Sequence, residues 1–389
     1  MSKRILLIAD TDNLYTKRYV ERVLLPGGWD VVLFPIWEQT GKFDGWFAEH
    51  GAAVYQDTHR LPILRHIPRL RMWARVWANA KSLQKLGSFD AIHNHYLSRR
   101  DLALEQAMKR RFPGARWICS FWGSDLLRAT PKQISQMAAP LHACDTITVI
   151  AAPNVDTVRE LYGEPMARKT SVCAFGVDLY DDIDRIRLSA DRAACKAHFG
   201  LPSDRPLICL GYNASPPHRH IELLEALAVL PQETLKGWSV VLQMTYGNTD
   251  ARYFGSVRAA AAKLPCETLI LTEFMNGTES AYLRLAADAF VLAMPTDAFS
   301  SSLQEYLYAG ALVLCAQWLM YPQLDELDIR LIRFQTIAQV PALLTQALRQ
   351  PVSADEMQNR AQLKKKYSWN ALRGGWTSLY ETPQNLPEH

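Results

Sequence analysis

Short apolar runs, rich in leucine and β-branched residues, recur along the chain and alternate with stretches that carry apolar residues at helical spacing. This alternation is typical of βα units, in which helices join parallel strands and cover the sheet. The apolar runs predict ten strands. In the first half of the chain they are residues 4–10, 30–36, 89–96, 115–122 and 146–152, and in the second half 206–212, 239–246, 267–274, 289–295 and 311–317.

An acidic, turn-rich segment without a strand period, residues 175–192, separates the two sets of strands. A chain of 389 residues is also longer than one hydrophobic core usually serves. We therefore expect an α/β protein with two Rossmann-like, doubly wound domains, 1–178 and 179–360, and a C-terminal helical segment, 361–389, that crosses back to the first domain. Two such domains facing each other would form a cleft at the carboxyl ends of both sheets, where open α/β folds bind ligands.

Composition narrows the class of protein. With 49% hydrophobic and 21% charged residues the chain is typical of a globular protein. No apolar run approaches the roughly 18 residues that would span a bilayer, and the first residues lead into a strand rather than a signal peptide. These features predict a cytoplasmic protein. Its seven scattered cysteines, without a CxxC pair, indicate reduced thiols rather than a disulfide framework or a zinc site.

A basic segment, residues 60–86, contains seven Lys or Arg residues and no Asp or Glu. Its apolar residues, among them Trp73 and Trp77, predict an amphipathic helix with Arg71 and Arg75 between two apolar stripes. Such a helix would suit an anionic membrane surface. A solvated helix packed on the domain is the alternative. Nucleic acid is disfavoured as a partner, because the net charge is only +4 and no base-reading motif is present.

No GxGxxG or GxxxxGK[ST] motif follows a predicted strand, which removes the main support for dinucleotide binding or P-loop hydrolysis. The stretch 296–318 is more informative. Asp297 follows a strand end, and Gly310 would end the helix that begins nearby. Three consecutive serines would supply the N-cap and the first backbone N–H groups of that helix, which suits an anion such as a diphosphate. They are Ser300, Ser301 and Ser302.

Glu305 lies about one turn into this predicted helix, where it could accept hydrogen bonds from sugar hydroxyls attached to the diphosphate. The alternative is structural: Ser300 only caps the helix and Glu305 lies on a solvated face. The local pattern does not decide between the two interpretations.

The spacing Asp297-x7-Glu305 resembles the acidic-x7-Glu motif of group 1, GT-B-type retaining glycosyltransferases, although the first acid there is commonly Glu. Further segments resemble the family's motifs in the family's order and cover nearly the whole chain. The segments at 210–227 and 241–248 are also similar to N-acetylfucosamine transferases that act on lipid-linked sugars. The other segments that carry the resemblance are 89–97, 117–128, 147–163 and 172–182.

The resemblance implies roles for particular residues. Glu305 would bind the ribose hydroxyls of a nucleotide, Asp297 would contact the transferred sugar, and the helix-start amides would hold the diphosphate. Arg219 is our candidate for the cation that offsets the diphosphate, because a guanidinium binds phosphate through two parallel hydrogen bonds. Phe274 and Met275 would cover the nucleobase, with core packing as the alternative. The remaining predicted donor-binding residues are Asn213, Tyr246, Trp122 and Gly123.

The chain also departs from the family pattern. Many members carry an Arg directly after the glycine that here is Gly211, whereas this chain has Tyr212 and Asn213. Trp122 stands where a His often contacts the donor sugar, and the loop 9–13 replaces a glycine-rich loop. These differences leave the identity of the donor open.

The first half of the chain offers two further candidates for chemistry. His93 and His95 point to one side of a strand, and a metal site there lacks a third ligand. His95 either lines the cleft or is a satisfied residue at the sheet end. Asp125 could orient the acceptor or serve as its base; the alternative is that it caps the helical run that begins at Leu126.

The function that follows is transfer of a sugar from a nucleotide-diphosphate sugar to a lipid-linked or cell-envelope glycan. The resemblance implies retention of the anomeric configuration and no metal or other cofactor. We expect a cytoplasmic protein, peripheral on the inner face of the plasma membrane, in exopolysaccharide, O-antigen or lipopolysaccharide synthesis. A sugar-nucleotide epimerase of the same fold and a non-catalytic sugar-nucleotide-binding subunit are the alternatives.

Overall fold

A computed structural model describes residues 3–35, 39–55, 79, 81–97, 110–247 and 250–381. The chain divides into two compact units. Unit 1 comprises Met1–Phe175 and Trp369–His389, and unit 2 comprises Gly176–Ser368. Most of the basic segment 60–86, including the tryptophans of its predicted membrane-binding stripes, lies outside the described residues.

Unit 1 is built on a seven-stranded sheet with the strand order β3-β2-β1-β4-β5-β6-β7, and every pair of neighbouring strands is parallel. Alternate residues of β1 fill the two faces of this sheet: Leu6 and Ile8 belong to one core, and Ile5 and Leu7 to the other. The strands are β1 Arg4–Ala9, β2 Asp30–Pro35, β3 Ala53–Val54, β4 Ala91–His95, β5 Arg116–Ser120, β6 Thr146–Val149 and β7 Thr170–Val172.

The helices of unit 1 lie between these strands along the chain, except for the last one, which follows unit 2. The first of them continues as a π-helical turn, Val20–Leu24. They are α1 Leu14–Tyr19, α2 Asp44–Glu49, α3 Ser124–Leu127, α4 Pro131–Ala143, α5 Pro153–Tyr162, α6 Glu164–Arg168 and, near the C-terminus, α17 Trp369–Ser378.

Unit 2 repeats this architecture with a six-stranded parallel sheet of order β10-β9-β8-β11-β12-β13. Its strands are β8 Leu207–Leu210, β9 Ser239–Gln243, β10 Glu267–Leu271, β11 Ala289–Leu292, β12 Leu312–Ala316 and β13 Ile332–Phe334. Its helices are α7 Leu179–Arg187, α8 Arg192–His198, α9 His220–Leu227, α10 Gln232–Lys236, α11 Ala251–Ala261, α12 Gly277–Ala286, α13 Ser301–Ala309, α14 Pro322–Asp325, α15 Val340–Ala347 and α16 Ala354–Tyr367.

The predicted α/β class with two doubly wound parallel sheets is confirmed, and each of the ten predicted strands corresponds to an observed one. The sequence missed three strands, β3, β7 and β13. Each has only two or three residues and lies at the edge of its sheet, so it has neither the length nor the continuous apolar pattern of a central strand. Among the described residues, no helix is long and apolar enough to cross a membrane.

The boundaries of the two units differ from the domain boundaries that we predicted from the sequence. The chain enters unit 2 at Gly176, and it returns to unit 1 at Trp369 rather than at residue 361. The reason is local: α16 ends at Tyr367, and the extended backbone of Ser368 separates it from α17. The buried Leu363 and Tyr367 of α16 belong to unit 2. Only α17 and the residues after it join unit 1.

The C-terminal segment is part of the core of unit 1. Trp376 is 1% exposed, and its indole N–H donates a hydrogen bond to the carbonyl of Ala174 at 2.8 Å. Tyr380 reaches the central sheet, where its hydroxyl lies 2.6 Å from Nδ1 of His93 and 2.5 Å from the hydroxyl of Tyr19. The other ring nitrogen of His93 is 2.6 Å from Oγ of Ser120. A buried polar chain therefore ties the end of the protein to β4 and β5.

Replacing Tyr380 by Phe is expected to lower the free energy of unfolding of unit 1 by about 1–3 kcal/mol. The change removes one hydrogen-bond partner from Nδ1 of His93 and one from the hydroxyl of Tyr19, and both groups stay buried. Denaturant titration followed by tryptophan fluorescence measures the loss. Tyr162→Phe is the matched control: the Tyr162 hydroxyl is buried and has no hydrogen-bond partner among the described residues, so its removal should cost nothing. Equal effects of the two changes would contradict a stabilising role for the polar chain.

Candidate functional site

The carboxyl ends of β8 and β11 are the place in unit 2 where the order of the strands reverses. These strands pair directly, with Leu210 opposite Val291, so the loops that follow them begin side by side. A reversal of this kind leaves a crevice at the carboxyl edge of a doubly wound sheet, where ligands bind. The loops 211–219 and 293–300 carry four of the residues that the sequence predicted for the donor site: Asn213, Arg219, Asp297 and Ser300.

The loop after β8 requires two residues with left-handed backbone conformations. Gly211 has a φ of +67°, and a Cβ there would lie 2.9 Å from Nε2 of His220 and 3.0 Å from the side chain of His218, so no larger residue fits. Arg219, which precedes α9, has a φ of 58°. A left-handed conformation is uncommon for such a residue and clusters at functional sites.

Arg219 presents an uncompensated positive charge at this edge of the sheet. Its guanidinium lies 6.0 Å from the ring centroid of Trp318 and forms no hydrogen bond or ion pair with any residue that the structure describes. Trp318 is fixed in turn, because its indole N–H donates a hydrogen bond to the carbonyl of Met294 at 2.9 Å. A half-buried, unpaired guanidinium held over an aromatic ring is well suited to bind phosphate.

The start of α13 has the cap expected of the sequence. Ser300 is the N-cap, and its hydroxyl accepts a hydrogen bond from the N–H of Leu303. Gly310 ends the helix with a φ of +91°. Helix geometry provides no intrahelical acceptor for the first N–H groups, and that of Ser302 has no other partner among the described residues. Ser301 is half-buried at the first position of the helix.

Asp297 shapes the loop that leads into α13. Its Oδ2 accepts hydrogen bonds from the N–H of Ser300 at 3.0 Å and from the hydroxyl of Tyr321 at 2.8 Å. Burial raises the pKa of this carboxyl. Phe299 beside it is 5% exposed and has a φ of 65°, a strained conformation for an aromatic residue. The contacts of Asp297 thus set the direction in which the helix begins; the sequence had assigned this residue to the transferred sugar.

Glu305 is held by an arginine that sequence reasoning did not single out. Nε of Arg284 donates to Oε2 of Glu305 at 3.0 Å, and Nη1 of Arg284 donates to Oε1 of Gln243 at 2.9 Å. Burial by itself lowers the pKa of Arg284, but Tyr306 and Glu305 more than offset this effect, and the net pKa is raised, so the guanidinium stays charged. The Glu305 side chain keeps 14% of its surface exposed. The structure therefore does not place Glu305 on a freely solvated face.

The other predicted donor-site residues border this region to different degrees. The Oδ1 of Asn213 accepts a hydrogen bond from the N–H of Ser215 at 2.8 Å, and the side chain of Asn213 also lies in hydrogen-bond range of Tyr246. Tyr246 is 52% exposed. Phe274 is 70% exposed, which removes core packing as its explanation, whereas Met275 is half-buried.

Arg284 and Trp318 are the site residues that the sequence did not reveal. A weak signal was present for the first, since Arg284 stands between two leucines in an otherwise apolar helical turn. A long charged side chain in such a place needs a buried partner. No local pattern identifies that partner, because Glu305 and Gln243 are 21 and 41 positions away.

His93 and His95, the two candidate histidines of unit 1, are buried in the core and are not placed to contact a ligand. His95 is fully buried, and its ring packs edge-on against Tyr19 at 4.5 Å and Trp122 at 5.7 Å between ring centroids. Both of its ring nitrogens are without a hydrogen-bond partner among the described residues. The sequence left two interpretations of His95 open, a residue that lines the cleft or a satisfied residue at the sheet end; in the structure its ring is buried and has no hydrogen-bond partner among the described residues. The part of the chain that the structure describes contains no group of three or more His, Cys, Asp or Glu that could hold a metal.

Burial lowers the pKa of His95 to about 3, from an ordinary value of 6.5. The unfolded chain binds this proton below pH 6.5 and the folded chain does not, so the stability that the neutral ring provides is lost as the pH falls toward 3. Between pH 8 and pH 5 this residue alone should cost roughly 2 kcal/mol of unfolding free energy. His95→Phe should remove that dependence, as measured by denaturant titration at both pH values. The exposed His142→Gln is the control, and an unchanged pH dependence in His95→Phe would contradict the assignment.

Asp125 adjoins a cavity of about 300 Å³ that is lined by residues of unit 1 alone, including Tyr96, Ser124 and Arg128. Its carboxylate accepts hydrogen bonds from the N–H of Leu97 at 2.9 Å and of Trp122 at 2.8 Å, and so joins the ends of β4 and β5. It does not cap a helix that begins at Leu126, because α3 already begins at Ser124. Burial raises the pKa of Asp125 to about 7, although backbone N–H bonds oppose the shift.

The two residues before α3 have separate tasks. Gly123 has a φ of +103°, which a residue with a side chain rarely adopts. Trp122 packs against Phe175 and Tyr15 with ring centroids 5.0 and 6.1 Å apart, as part of the aromatic cluster around His95. Both residues therefore shape the end of β5.

No protein-family model and no curated protein sequence matches this chain. Comparison of structures does identify the class of fold. The two parallel sheets with their interleaved helices have the GT-B architecture of the glycosyltransferases that this chain is similar to, so the resemblance seen in the sequence is confirmed at the level of the fold.

Three solved structures illustrate the similarity. A glycosyltransferase from Rickettsia africae has a TM-score of 0.76 and 14% identity, covering 97% of this chain and 98% of its own. HepE from Anabaena, solved with UDP and glucose, has a TM-score of 0.69 and 12% identity at the same coverage of 97% and 98%. Sucrose-phosphate synthase from Thermosynechococcus elongatus has a TM-score of 0.71 and 16% identity, again over 97% and 98%. At these identities the similarity establishes the fold; the likeness to N-acetylfucosamine transferases stays a prediction.

Proposed function

We propose that the protein is a glycosyltransferase that binds a nucleotide-diphosphate sugar in unit 2. The observation that carries the proposal is the unpaired guanidinium of Arg219 at the same carboxyl edge of the sheet as the capped start of α13. Both groups favour a multiply charged anion, and Glu305 in the same unit is suited to the ribose hydroxyls of the nucleotide. That the structurally similar HepE was solved with UDP and glucose supports the same ligand class.

The chemistry assigned to these groups is stabilisation of the leaving diphosphate. As the bond between the sugar and the diphosphate breaks, negative charge builds on the departing phosphate oxygen. Arg219 and the backbone amides at the start of α13 are oriented beforehand, so they stabilise this charge without reorganising. In a retaining reaction the acceptor hydroxyl attacks from the face that the diphosphate leaves, and no protein nucleophile is needed.

We propose that Asp125 in unit 1 orients the hydroxyl group of the acceptor and accepts its proton. The cavity beside it, at about 300 Å³, lies at the lower end of the volumes that hold small ligands. A carboxyl with a pKa of about 7 changes protonation state near neutral pH and can accept a proton from a hydroxyl when it is ionised. The guanidinium of Arg128 lies on the cavity wall, forms no hydrogen bond or ion pair with a described residue, and adds a positive charge for the acceptor.

Asp125→Asn is expected to lower sugar transfer about tenfold, less than a general base usually contributes, because in a same-face reaction the departing phosphate can also take the proton. The wild-type rate should fall as the pH drops through about 7, since Asp125 then becomes protonated. The Asn variant should lack this limb in its pH–rate profile. Asp145→Asn is the matched control, because Asp145 also accepts a backbone N–H, that of Trp117, at 2.7 Å. An unchanged acid limb in Asp125→Asn would contradict the role.

Nucleotide release in the presence and absence of acceptor tests the proposal against its alternatives. The donors are UDP-, GDP- and dTDP-sugars, and the acceptor is a lipid-diphosphate-linked sugar. A transferase releases nucleotide and extends the lipid only when the acceptor is present, whereas an epimerase makes free product without it. A binding subunit is stabilised by a sugar nucleotide in thermal unfolding but turns nothing over. If none of the sugar nucleotides raises the melting temperature, the proposal is wrong.

The lipid-linked acceptor and the location on the inner face of the membrane are proposals that rest on the sequence. The seven Lys or Arg residues and the tryptophans of segment 60–86 support them, since each basic residue near an anionic surface contributes about 1 kcal/mol of binding. Flotation with anionic liposomes tests this part separately. Binding at low salt that is lost at high salt is expected, and no flotation at low salt would overturn the membrane assignment without affecting the donor site.

A further inference from the structure

We infer that Arg284 makes the donor site selective for ribonucleotides over deoxyribonucleotides. It does so by fixing one oxygen of the Glu305 carboxylate and leaving the other oxygen to accept hydrogen bonds from the ribose. This inference rests on the proposed function, which assigns Glu305 to the sugar of the nucleotide, and goes beyond it by defining what the site rejects.

Arg284 is held by three elements of unit 2. It belongs to α12, bonds to Gln243 at the end of β9, and bonds through Nη1 to the hydroxyl of Tyr306 on α13 at 3.0 Å. Its guanidinium also lies 4.3 Å from the Tyr306 ring centroid, and that ring stacks on Phe290 at 4.2 Å. Arg284 is 3% exposed. A guanidinium with this many fixed contacts has one available position, and it imposes that position on Glu305.

The Glu305 carboxylate is only half used by the protein. Oε2 accepts the bond from Arg284, whereas Oε1 accepts none from any described residue. Oε1 is also not sealed from solvent, since the side chain keeps 14% of its surface exposed. The half-exposed Tyr246 lies close enough to interact electrostatically with Glu305. An open carboxylate oxygen at the carboxyl end of β9, next to an exposed aromatic residue, is a place for a hydroxyl-bearing ligand.

A purely structural ion pair is the competing explanation. Burying two charges costs about as much as their attraction returns, so stability alone gives little reason for this arrangement. A pair that served only packing would also have no use for an oxygen that stays open and unpaired. The two explanations predict different losses: the structural one predicts lower stability alone, and ours predicts a change in which nucleotide binds.

The selectivity follows from hydrogen-bond chemistry. A ribose presents neighbouring 2′- and 3′-hydroxyls, and a carboxylate oxygen with two lone pairs can accept from both. A 2′-deoxyribose keeps only the 3′-hydroxyl of this pair, so one of the two hydrogen bonds that replace lost water on the charged oxygen is not formed. Sites built to bond a hydroxyl reject the analogue that lacks it for this reason. Arg284 prevents the carboxylate from turning to recover the lost bond.

Isothermal titration calorimetry of the protein with UDP and 2′-deoxy-UDP, and with GDP and 2′-deoxy-GDP, tests the inference. The quantity compared is the ratio of the two dissociation constants in the pair whose ribonucleotide binds. We expect the wild type to prefer the ribonucleotide about 10- to 100-fold. The ratio should fall toward one in Arg284→Met and in Glu305→Gln. Tyr306→Phe, which removes a single bond to Arg284, should lower it partway and covers the case in which Arg284→Met does not fold.

Arg192→Met is the matched control. Arg192 forms an ion pair of the same length with Asp288, 3.0 Å, in the same unit, but Asp288 precedes β11 and so lies at the amino end of the sheet. This variant should lose stability and keep the wild-type ratio. A wild-type ratio of one, or a ratio unchanged in Tyr306→Phe and in every folded Arg284 variant, overturns the inference while the proposed function stands. Binding of dTDP by a wild type that binds neither UDP nor GDP also overturns the inference while the proposed function stands. If none of these three nucleotides binds, the proposed function itself is wrong.

Discussion

Arg219→Ala is expected to lower sugar transfer by about 100- to 1,000-fold, the loss typical of removing one preorganised group that stabilises charge in a transition state. The rest of the structure should hardly respond. The Arg219 guanidinium forms no hydrogen bond or ion pair with a described residue, so its removal leaves no buried group without a partner. The rate is measured as nucleotide release that depends on acceptor, and stability as the melting temperature.

The exposed Arg349, at the end of α15, provides the control. Arg349→Ala removes the same charge from unit 2 and should leave both rate and melting temperature as in the wild type. If the Arg219→Ala and Arg349→Ala variants transfer sugar at equal rates, then Arg219 does not bind the diphosphate. In that case no arginine of this loop would replace the one that many family members carry where this chain has Tyr212. Arg219→Lys should recover only part of the rate, because an ammonium group cannot make the paired hydrogen bonds of a guanidinium.

Glu305→Ala is expected to lower transfer by about 100-fold or more, because a charged hydrogen bond to the nucleotide is lost and the donor is no longer held in position. The change should appear in kcat/KM measured against the donor, with little change in KM for the acceptor. Glu305 differs from Arg219 in having a structural partner. Loss of its carboxylate leaves the buried, charged guanidinium of Arg284 without its ion-pair partner, so the free energy of unfolding should fall as well.

Glu305→Gln separates the two effects, because the amide oxygen can still accept a bond from Arg284 while the negative charge is gone. Glu225→Ala, at an exposed position on α9, is the control for loss of a carboxylate in unit 2. A Glu305→Ala enzyme with wild-type kcat/KM for the donor would remove Glu305 from the nucleotide site. In that case the ion pair with Arg284 would be explained by packing alone.

The helix 301–309 shows where local sequence is sufficient. Ser300 as cap, Gly310 as left-handed terminator and the strand that ends before Asp297 were predictable, because each depends on a residue's own backbone preference or on a hydrogen bond to a near neighbour. The central strands were predictable for a related reason: a strand covered on both faces is apolar along its whole length. The edge strands β3 and β7 are short and partly exposed, and so carry no such mark.

His95 shows where local sequence fails. Its spacing from His93 correctly placed both rings on one side of β4, and nothing nearby in the chain says whether that side faces solvent or core. The answer came from Trp376 and Tyr380, nearly 300 residues further on, which cover the rings and bury them. Burial of a polar side chain depends on which distant segment packs against it, and that choice is made only when the chain folds.

The sequence by itself determined the two sheets, the order of their strands along the chain, and the capped helix with an acid on either side of its start, because periodicity, capping and turn chemistry act over a few residues. Tertiary structure alone decided that Arg219 stays unpaired, that Arg284 takes one oxygen of Glu305, and that His95 is enclosed. These outcomes depend on contacts between side chains tens to hundreds of positions apart. The free energy of such contacts comes from burial and from matched hydrogen bonds between distant residues, and no local sequence pattern indicates which distant residues meet.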